Sequence, residues 1–275
     1  MLYVAGLWRY PVKSLAGEAL TTALVRPDGI AGDRIVRVRG PEGVRTSRRQ
    51  YRMLGLHGTL DPGNRALING FPWDSLEALA LVKRAAGLDA SLEPWNDLDR
   101  FDILPLLFAT DGAVTAFGRD VRRLRPNILI GGVDGLSERA WPGRELHVGD
   151  VIVRLGPLRQ RCHMTTIDPD TLEIDPTVLR DIVRRFDNRL ALNAEVVRAG
   201  TIRIGDPVSL LPSDTRLAPA NVLNSVQAEQ SGVRSGEVPL ARSHVLTTRG
   251  ETTCQDGVGE IRSSSRADRR AEPGR

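Results

Sequence analysis

The chain has 275 residues, 41% of them hydrophobic and 26% charged, which is enough apolar material for one large soluble domain or two small ones. Its formal net charge is only +4, and its basic residues are spread along the chain without clustered aromatics, so nucleic acid is not an expected partner. No apolar run approaches the roughly 20 residues that span a bilayer, no secretory leader pattern is apparent and the two cysteines are too far apart for a disulfide framework, so a cytoplasmic protein with no membrane partner is expected.

Residues 1–53 read as strands and turns. Leu2-Tyr3-Val4-Ala5-Gly6-Leu7-Trp8 is β-prone and is punctuated by Tyr10-Pro11. Ala23-Leu24-Val25 runs into the turn signal Pro27-Asp28-Gly29, ahead of a strand expected over Arg34–Val38. Further short strands, with turns at Asp61-Pro62-Gly63-Asn64 and Asn69-Gly70, fill residues 54–72. A helix is expected over Ser75–Ala86: Asp74 can cap its free N–H groups, Glu77 completes a capping-box spacing and Gly87 suits its end. A second helix, near Asp111–Asp120, precedes Arg125-Pro126-Asn127 and the apolar triplet Ile128-Leu129-Ile130. That triplet reads as a buried strand with Arg125 and Asn127 at its mouth.

Leu146–Val153 and Ile202–Leu211 are both β-prone and both broken by Gly-Asp, as strands turning the corners of a small barrel would be. Between them a third helix fits Pro176–Phe186. Asp175 is its N-cap, proline takes its first position, and Val178, Leu179, Ile182, Val183 and Phe186 form one apolar face. Residues 213–275 contain no Phe, Trp or Tyr and are rich in Ser, Thr, Gly, Arg, Glu and Gln, the composition of a disordered tail.

Chemistry concentrates in Leu158–Asp170. Arg159 and Arg161 flank Cys162 closely enough to stabilise an anionic sulfur, which could be a nucleophile, a redox centre or a metal ligand. The competing reading is a cysteine buried as a small hydrophobe, against which its Arg, Gln, His and Thr neighbours argue. Asp168-Pro169-Asp170 reads as a polar turn. His163 has no partner at metal-ligand spacing, and His57, His147 and His244 are scattered.

Four pieces occur in order along the chain: Tyr10-Pro11-Val12-Lys13-Ser14 with Gly17; Arg125-Pro126-Asn127-Ile128; Arg161-Cys162 with Thr165-Thr166 and Asp168-Pro169-Asp170; and Gly200–Val208. On these residues the chain resembles the MOSC family, named for the carboxy-terminal domain of molybdenum cofactor sulfurase, over residues 1 to about 212. The resemblance implies a mainly β protein. An amino-terminal β-rich α+β domain would span residues 1–100, a MOSC β-barrel with a few short helices 101–212, and the disordered tail 213–275.

It also implies a molybdenum–pterin cofactor (Mo-molybdopterin) with Cys162 as the protein ligand of the metal, a soft thiolate suiting a centre already rich in sulfur. Lys13, Ser14, Arg34, Arg48, Arg125, Asn127 and Arg161 match positions that resemble contacts to the pterin or its phosphate. Asp102 resembles an acid near the metal that orients substrate or relays a proton. The implied activity is that of a molybdenum-dependent oxidoreductase acting on a small N-hydroxylated substrate. Its electrons would come from a separate donor protein, because Cys254 alone cannot build the four-cysteine iron–sulfur domain that some members append. Two non-reductive alternatives stand beside it: a sulfur carrier using a persulfide on Cys162, and a carrier that hands on the finished cofactor.

Overall fold

In a computed structural model, which describes residues 1–211, seven strands close into a ring. They are β1 (Leu2–Arg9), β2 (Leu106–Thr110), β3 (Ile128–Gly131), β4 (Glu145–Val148), β5 (Val151–Gln160), β6 (Arg189–Arg198) and β7 (Pro207–Leu211). Their order is β3-β2-β6-β5-β4-β7-β1, and β1 pairs back onto β3 with Tyr3 opposite Gly131 and Leu7 opposite Ile128. Every neighbour is antiparallel except the β2–β3 pair. Closure leaves the ring without a free edge, and its interior fills with apolar side chains including Val4, Leu7, Phe108, Ile130, Leu146 and Val153. The first nine residues thus share a sheet with residues more than a hundred positions away. The tail expected over 213–275 lies outside the described residues.

Much of residues 10–100 builds a second core, while Ala23, Val25 and Ile30 pack into the barrel interior. Three short strands, Val36–Gly40, Gly43–Arg45 and Ser91–Pro94, form one small sheet, and the expected strand at Arg34 begins two residues later. Helix α1 (Leu76–Ala86) packs Ala78, Val82 and Ala86 against Val12, Leu15, Val36, Met53 and Ile68. Its cap differs from expectation: Ser75 Oγ accepts from the Ala78 N–H at 3.1 Å, while Asp74 pairs with Arg65 at 2.6 Å. Gly17 tucks the chain against β1, where a Cβ would collide with the carbonyl oxygen of Arg9.

Helix α2 (Asp111–Phe117) is shorter than expected because Gly118 turns left-handed and donates its N–H to the Val114 carbonyl; Asp120 then caps a separate 3-10 turn at Val121–Arg123. Helix α3 (Pro176–Phe186) has the expected bounds, with the Thr177 N–H bonded to Asp175 Oδ1 at 2.9 Å. Val178, Ile182 and Phe186 pack on Phe117, Leu124 and Leu190, but Val183 stays 52% exposed.

The two Gly-Asp breaks differ. Gly149-Asp150 is the tight turn between β4 and β5. Gly205-Asp206 instead marks a change of sheet, since Gly200–Arg203 pairs with Thr22–Arg26 before β7 rejoins the ring. Among the described residues no helix is long and apolar enough to cross a membrane.

Candidate functional site

A cavity of about 150 Å³ draws its walls from both regions. Lys13, Ser14, Arg34 and Arg48 reach it from the amino-terminal part, and Asp102, Arg125, Arg161 and Cys162 from beyond residue 100. Asn127 is not among its walls. It is fully buried, its amide oxygen accepts from the Leu107 N–H at 3.1 Å, and its amide nitrogen donates to the Trp8 carbonyl at 3.4 Å. Since Leu107 does line the cavity, Asn127 acts on it at one remove.

The backbone of this cavity is unusual. Ser14, Arg34 and Arg125 all adopt left-handed conformations, with φ of 71°, 54° and 54°. Such a conformation costs a non-glycine residue roughly 1–2 kcal/mol and persists only where neighbours over-determine it. Tyr10 is the common anchor. Its N–H donates to Asp33 Oδ1 at 2.7 Å and its hydroxyl to the Pro126 carbonyl at 2.9 Å, while its carbonyl accepts from the Arg34 N–H at 2.8 Å. The guanidinium groups of Arg125 and Arg34 lie over its ring at 4.3 and 5.6 Å. Burial pushes the Tyr10 phenol up to about 12, which keeps it a neutral donor.

Charge is unbalanced. The walls carry Lys13, Arg34, Arg48 and Arg125, joined by Arg123, Arg159 and Arg161, against the single carboxylate of Asp102. That carboxylate is shared between Lys13 Nζ at 3.0 Å, Arg48 Nη2 at 3.1 Å and Arg159 at 3.9 Å. Burial pushes Asp102 up, but these cations together outweigh it and hold the carboxyl below its usual range. Burial lowers Lys13, Arg125 and Arg159, and takes Arg161 down to about 10. Arg161 donates to the Leu124 carbonyl at 2.8 Å, yet its Nε is buried without a partner. Arg34 and Arg123 are paired behind the wall with Asp33 and Asp168, which leaves Arg125, Arg159 and Arg161 desolvated with little counter-charge, a receptor for an anion.

Cys162 is half-buried and precedes the 3-10 turn His163–Thr166. Thr165 locks that turn, both its hydroxyl and its N–H donating to the Cys162 carbonyl at 2.9 and 3.1 Å. The Asp-Pro-Asp turn closes on Asp168 Oδ1, which accepts from the Asp170 and Thr171 N–H groups at 3.0 Å, and its Oδ2 holds Arg123 at 2.7 Å. His163 bonds through Nε2 to the Arg48 carbonyl. Among the described residues no three His, Cys, Asp or Glu side chains gather as a metal-binding set.

Sequence reasoning connects Arg159 only with Cys162 and does not single out Arg123 or Trp95. Trp95 supports Lys13, whose ammonium lies 5.0 Å from the ring centroid. In a chain with 38 basic residues, of which only Lys13 and Lys83 are lysines, no local signal separates a cavity arginine from a solvated one.

Residues 1–69 match the MOSC N-terminal beta barrel domain, and residues 111–209 match the MOSC domain. Mitochondrial amidoxime reducing component 2 of Homo sapiens is 31% identical over 128 residues, a match covering 39% of this chain but only 37% of that relative's length. Mitochondrial amidoxime-reducing component 1 of Homo sapiens is 25% identical over 285 residues, covering 76% of this chain and 82% of the relative. Among solved structures, the YUAD protein from Bacillus subtilis aligns with 76% of this chain and 96% of its own at a TM-score of 0.42 and 13% identity.

Proposed function

Because the chain belongs to the MOSC-domain family, with both of the family's domains present, we propose that it is a molybdenum–pterin oxidoreductase that removes oxygen from small N-hydroxylated compounds. The observation that carries this reading is the meeting of one thiol with a desolvated excess of cations in a single cavity. That set suits a metal brought in on an anionic, sulfur-donating pterin: Cys162 offers one soft ligand, and the unpartnered Nε of Arg161 is a donor awaiting an acceptor. The relatives' names, amidoxime reducing components, support the substrate class.

Bound there, the cofactor would supply two-electron redox chemistry. The balance for an amidoxime is R–C(=N–OH)–NH2 + 2 e⁻ + 2 H⁺ → R–C(=NH)–NH2 + H2O, in which the N–O bond breaks and a separate electron-donor protein is the reductant. Cys162 Sγ would hold the metal. Lys13, Ser14, Arg34, Arg48, Arg125 and Arg161 would hold the pterin and its phosphate, and Asn127 would position Leu107 and the strand mouth behind them. Asp102, kept ionised by its three cations, is suited to accept a hydrogen bond from a substrate N–H or O–H and so to orient it, and is poorly suited to giving up a proton.

The test is metal and pterin analysis of the full chain, made in a host that produces the cofactor, beside Cys162→Ser. Near-stoichiometric molybdenum in the wild type, reduced or lost in the variant, together with benzamidoxime reduction by an artificial donor, is the expected result. Pterin without metal or turnover would replace the enzyme by a cofactor carrier. A cyanolysable sulfur that vanishes in Cys162→Ser, with no molybdenum, would make it a sulfur carrier.

A further inference from the structure

Resting on that reading, we propose that a second, apolar cavity beside Arg48 receives the hydrocarbon body of the substrate, so that aryl and branched-alkyl N-hydroxylated compounds are preferred over small polar ones. This cavity measures about 650 Å³, against about 150 Å³ for the cationic one. It falls in the range of small-molecule sites, roughly 300–1,000 Å³. Its apolar walls include Tyr51, Ile167, Ile174, Leu179 and Val183, with Arg49 and Arg180 also lining it.

Two features of the fold make it. Helix α3 turns Val178, Ile182 and Phe186 into the core, and the i, i+4 pair Leu179 and Val183 forms a neighbouring apolar ridge that the core does not cover. Ile174 and Val183 remain 53% and 52% exposed there. A patch of this kind that borders a reactive cavity is a ligand surface in waiting.

The two cavities are neighbours with one wall residue in common. Arg48 lines both. Along Cys162–Thr166, Cys162 and Met164 line the cationic cavity while His163 and Thr166 line the apolar one. The bond from His163 to the Arg48 carbonyl ties the partition together. On this proposal a molecule with its N-hydroxy head near Cys162 lays its carbon body over the Arg48 side chain, the wall residue common to both cavities, and against α3. The cationic cavity, walled by charged side chains and given over to the cofactor under the proposed reading, is a poor receptor for an aryl group.

The experiment compares the loaded, full-length chain with Val183→Asp, Ile174→Asp and the conservative Val183→Ile, all at exposed positions. Two quantities are read: the ratio of kcat/KM for benzamidoxime over that for hydroxylamine, and the affinity of the oxidised protein for benzamidoxime by calorimetry with no electron donor present. Both should fall about tenfold or more in the aspartate variants and hold in Val183→Ile. Unchanged ratio and affinity in both aspartate variants would overturn the proposal and leave the groove to another occupant, such as another segment of the chain. Val183-dependent binding without any reduction would sink the proposed reaction and keep the apolar subsite.

Discussion

The barrel interior and the cationic cavity beside it are built by opposite rules. Around the ring, backbone groups pair strand to strand without an edge, and side chains such as Leu7, Phe108 and Ile130 are buried among others of their kind. In the cavity, three non-glycine residues hold left-handed backbone, cations are desolvated, and a guanidinium nitrogen lies buried without a partner. Each of those features works against stability, and they are concentrated in one place. A fold that supports them draws on a surplus generated elsewhere, and the closed ring is its source. The contrast singles out this cavity as the candidate site more sharply than any single residue, because stability alone gives no reason for the features to coincide.

The sharpest way to break the comparison is to weaken the ring. Phe108 is 1% exposed and sits where β2 meets both β3 and β6. Phe108→Ala removes a ring of atoms from a closed interior that cannot collapse around the gap, so urea unfolding should show a loss of about 3–5 kcal/mol. A loss below about 1 kcal/mol would mean that the barrel is not the store of stability described above.

The legible parts of this molecule are those set by neighbours in sequence. Asp175-Pro176 announces the start of α3 because cap and first-turn geometry are local, and the Asp-Pro-Asp turn is likewise written in three residues. Even a local signal fails when two residues compete, as at Asp74-Ser75, where Arg65 claims the aspartate and leaves the serine to cap α1. A barrel is legible in the Gly-Asp breaks and the family resemblance, but the strand pair that closes it is not, since Leu7 and Ile128 meet across a sequence gap that no periodicity bridges. The cavity was partly so. Lys13, Ser14, Arg125 and Cys162 stand in motifs, but Arg123 is one arginine among many, and nothing about arginine foretells the left-handed turns at Arg34 and Arg125.

A smaller effect sharpens the electrostatic side. Burial raises the Asp102 carboxyl, and Lys13, Arg48 and Arg159 lower it further than burial raises it, so its folded pKa lies below its unfolded one of about 4. A group depressed in this way stabilises the folded state fully above its unfolded pKa, and that contribution disappears as pH falls through the folded value. Asp102→Asn should therefore lower Tm at pH 7, with the gap to wild type closing on acidification below about pH 4. Because the side chain is 45% exposed and solvent screens it, the loss should be well short of that for Phe108→Ala. A gap that stays constant from pH 7 to pH 3 would show that these cations do not hold the carboxylate.

The smallest expected effect bears most directly on why the cavity is strained. Ser14 is buried at φ 71°, a conformation glycine adopts without cost. Ser14→Gly removes a backbone penalty of roughly 1–2 kcal/mol and adds back part of it as unfolded-state entropy, for a net gain of about 0.5 kcal/mol. The same exchange removes a hydroxyl from the cavity wall, so retention of molybdenum and pterin through gel filtration should weaken while the urea midpoint rises. Opposite signs in those two readouts are what a site held under strain for binding requires. If both fall together, the serine is serving the fold, and the left-handed turn at Ser14 belongs with the barrel's rules and not with the cavity's.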